Sequence, residues 1–156
     1  MRTIWVMKLD LDRYIPGLLL WLSNKMAGSA SVLYRARFEL GVTDWRVLSY
    51  FEIYEWSTAS QACELMGLDK AAVSRSLAML KDNGWLKSRP SGLRKVEYAT
   101  TATGKKLHDR IIKLAIAREE ALLTGFTTQE RENLIRYLHR LLGNLDAVRA
   151  VGRDED

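Results

Sequence analysis

The chain has 156 residues, 47% of them hydrophobic, which suits one domain of ordinary size and excludes wholesale disorder. Its one cysteine excludes an internal disulfide framework and fits a reducing compartment, and its two prolines exclude a Pro-rich chain. Lys and Arg exceed Asp and Glu by 24 − 19 = +5, a balance that favours an anionic partner.

At the N-terminus, Met1 and Arg2 precede Ile4, Trp5, Val6 and Met7. A secretory leader needs a longer apolar stretch, and Asp10 and Asp12 interrupt this one, so none is expected. The longest near-continuous apolar run, Ile15 to Leu22, falls far short of the ~20 residues of a membrane span. A cytoplasmic chain with no membrane partner is the expectation.

Residues 15–40 predict one long helix, opened by Pro16 and ended by Gly41. Thr43 is expected to cap a helix over 44–56, with Asp44 near its positive end. Thr58 and Gln61 spell a capping box for a short helix over 59–66, and Gly67-Leu68 form a turn. Asp69 caps a helix over 70–82, which Asn83-Gly84 stop. Two short strands follow, Trp85 to Arg89 and Val96 to Thr101, broken apart by Pro90-Ser91-Gly92. Thr101 then caps a helix over 102–123, and a second capping box, Thr127 with Glu130, opens a last helix over 128–150. Gly152 to Asp156 form a frayed tail. The fold class is mainly α with a small two- or three-stranded wing.

The stretch 58–101 therefore runs short helix, tight turn, second helix, hairpin, which is the order of a winged helix-turn-helix. Within it Val73, Leu77 and Leu80 share one apolar stripe of the second helix. Ala71, Ser74, Arg75 and Ala78 project from the other side. Small residues there allow close approach to base edges, and the Arg75 fork fits guanine acceptors in the major groove. Lys70 and Lys81 flank that face, within reach of phosphates. From Lys70 to Lys106 nine basic residues, among them Arg89, Arg94 and Lys95 of the hairpin, face two acids, Asp82 and Glu97, for a local charge of +7. Double-stranded DNA is the partner this charge suits, because neutralised phosphates release counterions.

Four segments carry a family resemblance: Thr43-Asp44-Trp45-Arg46-Val47-Leu48, Asp69 to Leu77, Leu80 to Leu86, and Thr101-Ala102-Thr103-Gly104. In order and spacing the chain resembles the MarR family of bacterial transcriptional regulators over roughly residues 14–148. The resemblance implies a homodimer of triangular outline, with Ser74 and Arg75 facing bases, Thr58 and Ser60 starting a helix near phosphates, and Arg94 at the wing tip. One feature departs from the family pattern. Ser91-Gly92-Leu93 stand where an acidic residue usually precedes the wing arginine, so Arg94 lacks that intra-wing ion pair.

The last helix has its own pattern. Leu134, Leu141 and Val148 are spaced by seven, with Leu138 and Leu145 between them and Leu142 alongside, which spells a heptad seam for pairing with a second copy. The chain thus divides into an N-terminal segment and dimerisation helix (1–42), a winged helix-turn-helix (43–101) and C-terminal dimerisation helices (102–156). Ten of the fourteen aromatic residues lie in the first 56 positions. The resemblance implies a small-molecule cleft between the dimer helices and the winged region. Tyr14, Trp21, Tyr34, Trp45, Tyr50 and Tyr54 are candidates to line it, with Arg35 or Arg46 pairing an anionic effector of aromatic or phenolic type.

Nothing basic adjoins Cys63, so it reads as a structural thiol. His108 and His139 complete no metal-ligand spacing, and no nucleophile, cofactor or phosphate-loop motif is present, so neither a metal, a cofactor nor enzymatic activity is expected. The function expected is a ligand-responsive regulator, a repressor, that binds a pseudo-palindromic operator as a homodimer. The alternative is a winged-helix module that binds protein without specific DNA recognition.

Overall fold

The computed structural model describes residues 8–153, so Trp5 and the last three residues of the tail lie outside it. The chain forms two compact units, one running to Lys113 and one from Leu114. The first unit contains α1 (Ile15–Phe38), α2 (Val42–Ile53), β1 (Ser57–Thr58), α3 (Ala59–Met66), α4 (Lys70–Asp82), β2 (Leu86–Ser91), β3 (Lys95–Thr100) and the start of α5 (Ala102–Leu122). α6 (Thr128–Gly143) and α7 (Leu145–Ala150) follow in the second. The three strands form one antiparallel sheet in the order β1-β3-β2, so the wing is three-stranded.

α3, α4 and α5 lie where their capping residues predict. The Thr58 side chain accepts from the Gln61 amide, the Asp69 carboxylate from the Ala72 amide at 3.0 Å, and the Thr101 hydroxyl from the Gly104 amide at 3.0 Å. The α1–α2 corner differs from expectation. α1 stops at Phe38 because Glu39 adopts the left-handed conformation, φ 60°, where its amide still reaches the Arg35 carbonyl. Gly41 does not end α1; it is the N-cap of α2, and the Asp44 carboxylate accepts from its amide at 2.8 Å. Thr43 therefore lies inside α2 and caps nothing. α2 ends at Ile53 rather than Trp56, since Trp56 takes φ 56° and turns the chain into β1.

Pro90 and Ser91 do not break the hairpin. They continue β2 opposite Val96 and Lys95. β2 is an edge of the sheet, where a proline without an N–H costs no ladder bond. The turn falls at Gly92, φ 72°. The last helix is two helices: Gly143 and Asn144, both poor helix formers, divide α6 from α7.

The core of the first unit joins Val47, Leu48 and Phe51 of α2 to Val73, Leu77 and Leu80 of α4, with Ala62, Leu86, Ala99 and Ile111 closing it. Truncation of a side chain as enclosed as Leu80 costs roughly 2–5 kcal/mol. In the second unit the Thr127–Glu130 capping box opens α6, and Arg131 pairs with Glu120 at 2.8 Å. Among the described residues α6 and α7 carry no buried side chain.

Candidate nucleic-acid interface

α4 has one fully buried face and one open face. Val73, Ser76, Leu77 and Leu80 are buried, whereas Lys70, Ala71, Ser74, Arg75, Ala78 and Lys81 are exposed. The apolar stripe sets the rotation of the helix, and its rotation decides which residues reach outward. Ser76 adds a polar anchor. Its hydroxyl donates to Asp44 Oδ1 at 2.6 Å, while Oδ2 of the same carboxylate accepts the Gly41 amide. The position of α4 is thus tied to the first turn of α2. Ser76 lies within the Asp69 to Leu77 motif, but its role is not legible there because its partner is 32 positions away.

α3 precedes α4 through a turn at Gly67, φ 61°. Ser60, at the first turn of α3, is exposed. Thr58 is half-buried and its hydroxyl donates to Gln61 Oε1 at 3.1 Å, so its donor serves the cap.

The wing holds its cations in two different ways. Arg89 and Lys87 alternate along β2 onto one side of the sheet, above the Trp56 ring. The Arg89 guanidinium lies 4.1 Å and the Lys87 ammonium 5.3 Å from the ring centre. Arg89 also pairs with Glu97, its cross-strand neighbour, at 2.9 Å. The hydrogen bond from Arg89, and after it one from Ser91, holds the Glu97 carboxyl below the usual carboxylate range. Arg94 and Lys95, beside the tip, are exposed and form no ion pair among the described residues. The fixed Arg89 was invisible in sequence, since the Arg89–Glu97 register depends on where the hairpin turns.

The base of the wing is locked to α5. The Thr101 hydroxyl donates to the Gly84 carbonyl at 2.6 Å and Thr103 donates to the same oxygen at 3.1 Å. Gly104 is needed for close approach, because a Cβ there would fall 2.0 Å from the Trp85 carbonyl oxygen. Nearby, Glu52 accepts from the Thr100 hydroxyl and from Lys105 at 3.2 Å. Burial pushes the Glu52 pKa up, but the Thr100 hydroxyl and the Lys105 hydrogen bond and charge outweigh it, and the carboxyl lies below its ordinary value.

The eight candidate ligand residues fall into separate groups. Tyr14 and Trp21 flank Gly17. Tyr34 and Trp45 meet edge to face at 6.3 Å, and Trp45 stacks on His108 at 5.0 Å. Tyr50 lies 4.9 Å from Tyr54. Arg46 is exposed. Arg35 instead lines a pocket of about 240 Å³ together with Arg75 of α4. Cys63 is half-buried, and no group of three potential metal ligands occurs among the described residues. On the second unit Leu134, Leu138, Leu141, Leu142, Leu145 and Val148 are all exposed, by 37–64%.

No protein-family model matches the chain. In sequence it is similar to an uncharacterized HTH-type transcriptional regulator of Bacillus subtilis, YybA, with 26% identity over 112 residues, covering 69% of this chain and 75% of that one. In structure it is similar to a MarR/EmrR family transcriptional regulator from Acinetobacter sp. ADP1, with a TM-score of 0.82 and 28% identity over 89% of this chain and 99% of that one. The fold, though not more, is also shared with S. aureus MepR in its DNA complex, at a TM-score of 0.73 and 16% identity over 87% of this chain and 99% of MepR. The chain has the winged-helix fold of MarR-family transcriptional regulators and resembles them along nearly its whole length.

Proposed function

We propose that this MarR-like chain is a DNA-binding transcriptional regulator that represses as a homodimer and is released by a small-molecule effector. The open face of α4 carries the reading. Ala71, Ser74, Arg75 and Ala78 stand exposed above a buried apolar stripe that fixes their direction. Small side chains with one guanidinium fork suit the major groove, and Lys70 and Lys81 suit the phosphates on either side. Ser60 at the start of α3, on a helix end that Thr58 caps with both its amide and its hydroxyl engaged by Gln61, and Arg89, Arg94 and Lys95 on the wing add contacts to the sugar-phosphate chain. The DNA complex of MepR supports this use of the shared fold.

Dimerisation rests on the second unit. Six apolar side chains with nothing buried around them on α6 and α7 are what an interface leaves open in a single chain. Two copies would present two recognition helices to successive major grooves and read a pseudo-palindrome. Effector release requires the ligand to prefer a dimer geometry that misses the half-sites. The candidate cleft residues are Tyr14, Trp21, Tyr34, Arg35, Trp45, Arg46, Tyr50 and Tyr54.

The test is a titration of labelled duplex from the chain's own upstream region, against a scrambled duplex, over a range of salt. Tighter binding to the native duplex, weakening steeply with salt, is expected. Equal or absent binding to both duplexes at low salt would favour the protein-interaction module instead.

A further inference from the structure

Trp56 holds a backbone conformation that a bulky residue rarely takes. Its φ of 56° lies in the left-handed region, where glycine is free of strain and tryptophan is not. Termination of a helix does not account for it, because α2 has already stopped at Ile53 with Tyr54 as its C-cap. The turn into β1 needs only the backbone, and glycine would supply that. A strained tryptophan at such a position points to something its side chain provides.

The indole is half-buried, and two cations of β2 lie over its ring, the Arg89 guanidinium at 4.1 Å and the Lys87 ammonium at 5.3 Å from the centre. Lys87 forms no ion pair among the described residues, and both cations are exposed. Across the hairpin Arg89 faces Glu97 and Ser91 faces Lys95, so this side of the sheet carries Lys87, Arg89 and Lys95 against one acid. Thr58 stands opposite Glu97 on the far side of β3, so the same surface adjoins the start of α3, where Ser60 is exposed. Long cationic side chains lose rotamer freedom when they settle on a phosphate, and a ring that holds them beforehand removes part of that cost. An aromatic face attracts a cation without neutralising it, so the charge stays available to an anionic partner.

We propose that Trp56 is a positioning residue of the wing, its ring holding Lys87 and Arg89 side by side for the phosphates of a DNA duplex. The inference deepens the DNA-binding reading and rests on it, and it adds Lys87 to the contact surface.

The first measurement needs no DNA. In the free protein the ring current of Trp56 should shift the Arg89 Nε–H and Lys87 methylene resonances upfield, and Trp56→Gly should return both to ordinary positions. Glycine accepts this φ without strain, so the variant should keep the wild-type far-ultraviolet circular dichroism. Trp56→Phe, with a weaker cation-binding face, should keep part of the shift. Absence of the shifts in the wild type, or their persistence in Trp56→Gly, would overturn the proposal.

The second measurement is a double-mutant cycle on duplex affinity. Trp56→Gly should weaken binding to native and scrambled duplex alike by about fivefold, and Trp56→Phe should recover part of the loss. Lys87→Gln/Arg89→Gln should flatten the salt slope by about 0.9 for each lost contact. In that background, removing the ring should cost almost nothing more. An equal loss in both backgrounds would mean that Trp56 acts through the fold and not through the two cations, and the positioning role would fall. If the wild-type chain binds neither duplex at low salt, the DNA-binding reading fails and this role with it. That result is recognised without any variant, and the resonance shifts do not depend on it.

Discussion

Ser76 and Asp44 meet at 2.6 Å across 32 positions of sequence, and the hydroxyl–carboxylate bond makes the start of α2 a stop for the rotation of α4. Ser76 is 3% exposed, so water cannot replace its partner easily. Ser76→Ala should lower the unfolding free energy by about 1–2 kcal/mol, measured by urea titration. Affinity for duplex DNA should fall as well, although Ser76 itself faces away from the open surface of α4. Unchanged stability would mean that the apolar stripe alone sets the helix.

Gly104 should not tolerate a methyl group. The Cβ of alanine would meet backbone, the Trp85 carbonyl, which has no rotamer to escape into. Gly104→Ala is expected to cost about 1–3 kcal/mol or more and to lower Tm by several degrees in a thermal melt. Gly28, a helical glycine with no neighbour within 4 Å of its would-be Cβ, is the control, and Gly28→Ala should stabilise by about 0.5–1 kcal/mol.

The two kinds of wing cation should separate in a salt titration. Neutralising Arg94 and Lys95 removes free charges, and each lost phosphate contact should flatten the slope of log affinity against log salt by about 0.9. The preference for native over scrambled duplex should change little. Arg89→Ala should in addition reduce stability, because it strips Glu97 and Trp56 of a shared partner. A collapse of the preference with an unchanged slope in Arg94→Ala/Lys95→Ala would make the tip a base reader.

Acid should destabilise the first unit through Glu52. Its carboxyl titrates below the ordinary value of 4.5 because the Thr100 and Lys105 contacts outweigh burial. The folded chain therefore binds fewer protons than the unfolded chain just below that value. The stabilisation is present above about pH 4.5 and is lost as pH falls through the folded pKa. Glu52→Gln should be less stable than wild type at neutral pH and should show a shallower loss of Tm on acidification. Parallel acid limbs for the two proteins would remove Glu52 from the pH response.

Charge on the seam should separate the proposed dimer. Leu138→Glu with Leu145→Glu places carboxylates among side chains expected to be desolvated by the second copy. Sedimentation velocity should show a monomer with unchanged helix content. A dimer that survives both substitutions would place the interface elsewhere.

The parts of this fold that were legible in sequence are those whose physics is local. Thr58 and Gln61, Asp69 and Ala72, and Thr127 and Glu130 interact over three positions, and their helices start where the pattern says. The apolar period of α4 likewise gave its open face in full. What escaped depended on contacts made after folding. Glu39 ends α1 although glycine is the common choice, and that in turn hands Gly41 to α2. Pro90 reads as a breaker until the strand order shows that β2 is an edge. At the candidate interface, residue types alone put forward Ser74 and Arg75, and both lie exposed on the open face of α4. The pairing of Arg89 with Glu97 and the approach of Arg35 to Arg75's pocket needed the register and the corner geometry.

Thr58 is at once the last residue of β1, opposite Glu97, and the N-cap of α3. No spare residue separates sheet from helix at this point. An insertion here would cost either the strand pair or the cap, whereas the segment from Gly92 to Arg94 can lengthen without breaking any strand pairing. The reach of the wing is therefore adjustable only at its far end. A longer or shorter wing is accommodated there, while the junction at Thr58 keeps its length.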